Sequence, residues 1–276
     1  MKKTLTSKHW LLIVLLIVIW SIVAGFIEHQ AYVGQKNQYL EQRGEEADLR
    51  GQELVNSLRS NLHYLGGVSN MLVQLMRVNQ ASAMFGPHVQ ASALPLETRR
   101  EQWTQEHDLN ALSQYLNLVT NSLNVDMVFV VNAAGDAIAA SNWDKAGSAI
   151  GANYSGRDWF HATQAGKPGM QYALGKTTHV AGLYFASPVM QDGKFMGAVV
   201  TKKDVSNLTF LLKDTDSYIT DVHGVIILAR DPELIFKAVR DANVFGMSAA
   251  AKLERYQQVD FPLLPLAAAE QTKLID

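Results

Sequence analysis

A chain of 276 residues is long enough for one large domain or two small ones, and a hydrophobic share of 48% supplies an ample core. A net charge of −2 leaves no global basic field of the kind that nucleic acid would need. The absence of cysteine excludes disulfides, thiolate catalysis and cysteine zinc sites together, and it suits a bacterial envelope protein.

Residues 1–9 carry Lys2, Lys3 and Lys8, and residues 10–27 then run without a charge as WLLIVLLIVIWSIVAGFI. That length is near the lower limit for crossing a hydrocarbon core of ~30 Å. A cleaved signal peptide is the alternative, but the run is long for one and no clear small-x-small cleavage site follows it. Read as an uncleaved anchor, with lysines before it and Glu28 after it, it keeps residues 1–9 in the cytoplasm. The rest of the chain is then periplasmic.

From Glu28 to about Asn79 there is no proline, and one long helix is predicted. Leu54, Leu58, Leu62, Leu65, Val68, Leu72, Leu75 and Met76 recur at three- and four-residue spacing and form one apolar stripe. The stretch before it is polar, as a stalk leaving a membrane would be. Gly34, Gly44 and Gly51 weaken the rival reading, a coiled coil along the whole length.

Gly86-Pro87-His88 and Pro95 break the helix, and a second helix is predicted over residues 97–122. DMVFVV at 126–131 is a buried-type strand, Asn132 to Gly135 a turn, and residues 137–140 a returning strand. A loop with Trp143 and Tyr154 leads to Arg157. Asp158 is a plausible N-cap for a short helix closed by Gly166. Lys167-Pro168-Gly169 is a turn, followed by strands over 170–174, 183–190 and 195–203. Asp192-Gly193 between the last two is a strong hairpin signal.

Beyond Val205 a short helix leads to strands at 217–220 and 225–229. FVVNAAGDAIAAS at 129–141 matches YITDVHGVIILAR at 218–230, with Asn132 over Asp221, Gly135 over Gly224 and Ile138 over Ile227. Either a common hairpin type has arisen twice, or a second copy of one module begins here. Residues 234–256 mix helix and loop, and Phe261 to Pro265 is the last apolar patch.

The long helix, the FVVNAAGDAIAASNWD hairpin, Arg-x-Trp-Phe at 157–160, Tyr-Ala-Leu-Gly at 172–175, Phe-Ala-Ser-Pro-Val at 185–189 and Gly-Ala-Val-Val-Thr-Lys-Lys-Asp at 197–204 resemble a known family. This is the double Cache (tandem PAS-like) sensor region of bacterial receptors, and the resemblance covers roughly residues 28–266. It is most similar to the sensors of four-carbon dicarboxylate histidine kinases, and similar domains occur in diguanylate cyclases. The resemblance implies an α/β (α+β) fold: a long helix along two PAS-like modules, with the ligand in the membrane-distal one. It also implies a pocket that uses Arg157, Tyr172 and Lys202, and Trp159 and Phe160 read as core or pocket wall. Asp204 stands where an amino-acid-binding branch grips the ligand amine, but Phe160 stands where that branch has tyrosine. The family's second membrane helix and cytoplasmic output domain do not follow residue 276, so the chain is expected to be part of a longer receptor.

The residues themselves leave both roles open. Arg157 opposes the dipole of the helix it precedes, which argues for a functional reason; a surface arginine paired with Asp158 or a glutamate is the alternative. Lys202 and Asp204 share one strand face and Lys203 the other, so the first two either hold a ligand or form a solvated strand end. Tyr172 and Tyr184 are candidates to donate hydroxyls into a pocket, with Tyr184, a strand aromatic, reading rather as core. The histidines lack ligand spacing, so no metal is expected, and neither is any cofactor. No nucleophile elbow or phosphate loop appears, so no catalytic residue is assigned and an envelope hydrolase is disfavoured.

The resulting reading is a sensor region rather than an enzyme. Residues 1–9 are cytoplasmic, 10–27 span the bacterial inner membrane, 28–212 form the long helix and distal module, and 213–276 begin a proximal one. The expected partners are a small carboxylate, a dicarboxylate ahead of an amino acid, and a second copy of the chain along the long helix. Nucleic acid is not among them.

Overall fold

The computed structural model describes residues 7–85, 90, 92–213 and 217–265. Most of the expected cytoplasmic segment, the break at Gly86-Pro87-His88 and the end of the expected second module therefore lie outside the described residues. The chain divides into two units, Met1–Asn56 and Ser57–Asp276.

The first unit is helix. Helix α1, Ser7–Leu72, begins in it, and residues 10–27 are exposed throughout. That stretch is long and apolar enough to cross a membrane. Gly34, Gly44 and Gly51 sit within the helix, where a Cβ would meet nothing within 4 Å. Each weakens it by about 1 kcal/mol relative to alanine without breaking it.

In the second unit the amphipathic stripe packs as predicted at Leu65, Val68 and Leu72, all buried. The helix stops short of Asn79, however. A turn at Val73–Gln74 separates α1 from α2, Met76–Phe85, and Met76 is exposed. No glycine or proline marks the break. Asn79 stabilises it, since its side-chain amide donates to the carbonyl of Val73 at 2.9 Å, within the turn, and to that of Leu75 at 3.1 Å. The predicted second helix is also two helices: α3, Leu96–Gln105, and α4, His107–Ser122. Glu106 lies between them in extended conformation and caps α4, its carboxylate accepting from Leu109 N at 2.7 Å.

Strands β1 (Met127–Asn132), β2 (Ala137–Ala140), β3 (Gly169–Leu174), β4 (Ala181–Gln191) and β5 (Lys194–Asp204) form one antiparallel sheet in the order β2-β1-β5-β4-β3. Asp192 and Gly193 turn β4 into β5 with φ of 51° and 75°, the left-handed backbone that a tight hairpin requires. Both faces of the sheet are covered. Val128, Val130, Phe185, Val189 and Val199 pack on α1, α2 and α4. The alternate residues Phe129, Val131, Tyr184, Ala186 and Val200 pack on Trp159 and Phe160 of α5, Asp158–Gln164, and on Ile150 and Tyr154 of the preceding loop. Two covered faces explain why β1 and β5 read as unbroken apolar runs.

Past a 3-10 helix at Val205–Leu211, strands β6 (Tyr218–Thr220) and β7 (Ile226–Ala229) pair as a small hairpin, and α6, Ala249–Tyr256, follows. The sequence repeat is also a repeat of geometry. Phe129 pairs Ala140 as Tyr218 pairs Ala229, and Val131 pairs Ala137 as Thr220 pairs Ile226, with a register shift at the same point. Asn132 Oδ1 accepts from the amides of Ala134 and Asp136, and Asp221 Oδ1 from those of His223 and Val225. Gly135 and Gly224 take the positive φ that closes each turn, 86° and 75°.

Candidate ligand-binding site

Arg157 is the N-cap residue of α5, one position before the expected Asp158, but its side chain makes no capping bond. It is 3% exposed, so the surface-arginine reading fails. Asp158 pairs instead with Arg255 of α6 at 2.5 Å. Nη2 of Arg157 donates to the Leu174 carbonyl at the end of β3, at 2.8 Å. Nη1 is buried and has no hydrogen-bond partner among the described residues. A guanidinium held at one nitrogen and unpaired at the other is oriented to receive an anionic oxygen. The indole Nε1 of Trp159 is a second buried donor without a partner among these residues.

A second group of charges comes from β5. Lys202 is 2% exposed, and its ammonium lies against Asp204 Oδ1 as an ion pair without hydrogen-bond alignment. It also donates to Thr178 Oγ1 at 3.4 Å and sits 5.9 Å from the centre of the Tyr184 ring. An ammonium has three donors, and of these contacts the one to Thr178 is the aligned hydrogen bond. Two glycines make the room. A Cβ at Gly182 would stand 2.4 Å from Lys202 Cε, and one at Gly175 3.3 Å from the Tyr184 hydroxyl.

Tyr184 links the two groups. Burial pushes its phenol well above the ordinary tyrosine range, with Tyr154 and Asp204 adding to the effect and the positive charge of Arg157 opposing it. Burial likewise pushes Tyr154 up to about 12, tempered by Arg157. Both hydroxyls are therefore neutral donors at physiological pH. The β3–β4 loop closes one side, where Lys176 Nζ donates to Asn153 O and Thr177 Oγ1 to Gly147 O, each at 2.9 Å. Burial lowers the Lys176 pKa, and the nearby Arg157 lowers it further, while Glu254 opposes the shift. Three cations thus face this region with Asp204 set among them.

Of the five residues expected to line a pocket, Arg157, Lys202 and Asp204 each act on or lie against Tyr184, and Trp159 packs in the same core cluster as that ring. Tyr172 stands apart. The register pairs Tyr172 with Leu183 and Leu183 with Lys203, whereas Gln171, Tyr184 and Lys202 form the adjacent row, so alternation puts Tyr172 on the other face. Its ring lies 6.3 Å from that of Tyr256. Burial there, together with the charge of Asp221, raises its pKa. Sequence reasoning assigned no role to Gln171, Thr178 or Lys176 and took Tyr184 as core. A polar Gln171 at the same strand parity as the buried Ala173 was the available signal.

The Cache domain family matches residues 31–271 of this chain. Two curated relatives are each called C4-dicarboxylate transport sensor protein DctB. The one from Rhizobium meliloti is 26% identical over 160 residues, which is 57% of this chain and 25% of the relative. The one from Pseudomonas aeruginosa is 25% identical over 199 residues, 71% of this chain and 31% of the relative. The chain thus spans between a quarter and a third of the length of these relatives. Among solved structures, the sensor domain of the Vibrio cholerae histidine kinase DctB has the same fold, with a TM-score of 0.51 and 24% identity over 77% of this chain and 81% of that one. With a mixed helix and antiparallel-sheet architecture and a family match over most of its length, the chain belongs to the Cache domain family.

Proposed function

We propose that the chain is the periplasmic sensing region of a transmembrane signalling receptor, anchored by residues 10–27, and that its ligand is a small dicarboxylate held between Arg157 and Lys202. The observation that carries the reading is the Lys202–Asp204 ion pair facing a buried Arg157 with an unpaired Nη1. A ligand ammonium would need the Asp204 charge, and Lys202 already meets it. A carboxylate at each end of the ligand answers Arg157 Nη1 and a remaining Lys202 donor. The name that the curated relatives carry points the same way.

The path of the signal starts next to the site. Thr201, the neighbour of Lys202 on β5, donates to Leu65 O of α1 at 3.3 Å, and Ser187 of β4 shares a 2.9 Å hydrogen bond with Ser69. A ligand that draws Lys202 toward Arg157 displaces β5, and β5 is tied to α1. In a homodimer formed along the long helix, the shift is a change in population limited by the ligand's differential affinity for the two states.

Calorimetry on the full chain in detergent, with succinate as probe, tests the assignment. Arg157→Ala should weaken binding by about 1.5–3 kcal/mol, the range for a hydrogen bond to a charged group. Lys202→Ala should abolish binding, since it leaves the Asp204 carboxylate facing the anion, and Asp204→Ala should preserve it. If amino acids bind in place of succinate, and the aspartate change abolishes that binding while the lysine change does not, the ligand is an amino acid and the dicarboxylate reading fails.

A further inference from the structure

Gln171 is 8% exposed, and its Oε1 is buried with no partner among the described residues. It lies in the cross-strand row that continues through Tyr184 to Lys202. Residues on either side of it on β3 touch the two residues that carry unpaired donors. Two residues before it, Gly169 packs so tightly under Trp159 that a Cβ would lie 2.7 Å from the Trp159 Cα. Three residues after it, the Leu174 carbonyl holds the Arg157 guanidinium. Trp159 and Arg157 therefore both border the strand that carries this acceptor, and the three unpaired atoms do not bond one another.

Leaving a buried amide oxygen unpaired costs free energy, and a chain ordinarily meets the demand from within. A single small molecule that both accepts and donates would satisfy all three groups. The accepting part is the carboxylate already assigned to Arg157. The donating part is a hydroxyl rather than an ammonium, because Arg157 and Lys202 disfavour another cation beside them. An inward oxygen also suits a surrounding made of donors, which fixes the orientation of the amide.

We propose that Gln171 is a specificity-determining ligand contact that selects hydroxylated carboxylic acids over unsubstituted ones. The inference rests on the carboxylate reading above and deepens it. Gln171 acts on the choice of ligand and not on the fold, since the structure gives its Oε1 no internal partner to lose.

The test compares malate with succinate, two four-carbon dicarboxylates that differ by one hydroxyl, by calorimetry on the full chain in detergent. Wild type should bind malate about tenfold more tightly, the worth of one hydrogen bond to an otherwise unpaired buried group. In Gln171→Met, of similar size and apolar, the ratio should fall to about one through loss of malate affinity, with succinate binding kept. The thermal midpoint of the unliganded variant should not fall. Equal binding of the two acids by wild type, an unchanged ratio in the variant, or a lower midpoint without ligand overturns the role of Gln171 alone. Failure of wild type to bind either acid overturns the carboxylate reading and this inference with it.

Discussion

Gly182 shows how a single residue sets up the site. It lies opposite Asp204 in the sheet, and a Cβ there would approach Lys202 Cε to 2.4 Å and Cγ to 2.9 Å. The lysine stem occupies the volume that any other residue would fill, so the ion pair with Asp204 depends on a missing side chain on the strand next to that of Gln171. Gly182→Ala should displace the Lys202 ammonium while leaving the sheet paired. Calorimetry should then show succinate affinity reduced by about tenfold or more, with an unchanged far-ultraviolet circular dichroism spectrum. Unaltered affinity would mean that the position of Lys202 is immaterial to binding. Arg157 carries the complementary lesson. Its sequence position, at a helix start where a cation is disfavoured, pointed to a role, and the side chain is buried with one nitrogen unpaired among the described residues.

Among the elements, the turn of the first hairpin anchors the segment between α2 and α3. Asp136 is fully buried: Oδ1 accepts from Arg99 Nη1 at 2.9 Å and Asn153 Nδ2 at 2.8 Å, and Oδ2 from Ser92 N at 3.0 Å. The same contacts secure the loop that delivers Tyr154 and Arg157. Removing one partner strands a buried charge, so Asp136→Ala should lower the unfolding free energy by about 3 kcal/mol or more in urea titrations. A loss below 1 kcal/mol would show that the network is dispensable. The matching turn of β6–β7 has Val225 in place of Asp136, and Asp221 there bonds the Tyr256 hydroxyl of α6 instead. The two hairpins share a backbone but are fastened differently. That difference is why the sequence match could establish the turn and not its surroundings.

For the whole molecule, the anchor is the largest claim that the first unit supports. All of residues 10–27 are exposed on a helix that continues beyond them. The full chain should sediment with membranes and stay there through carbonate extraction, and recovery of a soluble form beginning near residue 25 would identify a cleaved signal peptide instead. We propose module boundaries of residues 28–212 and 213–276. They follow from the repeat and from the position of the 3-10 helix at Val205–Leu211.

Local patterns determined a good deal. Alternation and turn chemistry placed all five strands of the sheet to within two residues, because Asp192-Gly193 and Asn132-to-Gly135 admit few other backbones. The apolar stripe located the face of α1 that packs, since a period of 3.6 needs no partner to be read. Helix breaks at Val73 and Glu106 were not legible, because Asn79 and Glu106 read as ordinary helix formers until their side chains bond freed backbone groups. The site divided along the same line. Arg157 and Trp159 belong to a short motif at a helix start, which their neighbours mark. Tyr172, Tyr184 and Gln171 lie on strands, where a shift of one residue exchanges the faces, so only the pairing of β3 with β4 and of β4 with β5 could decide which of them look toward Arg157.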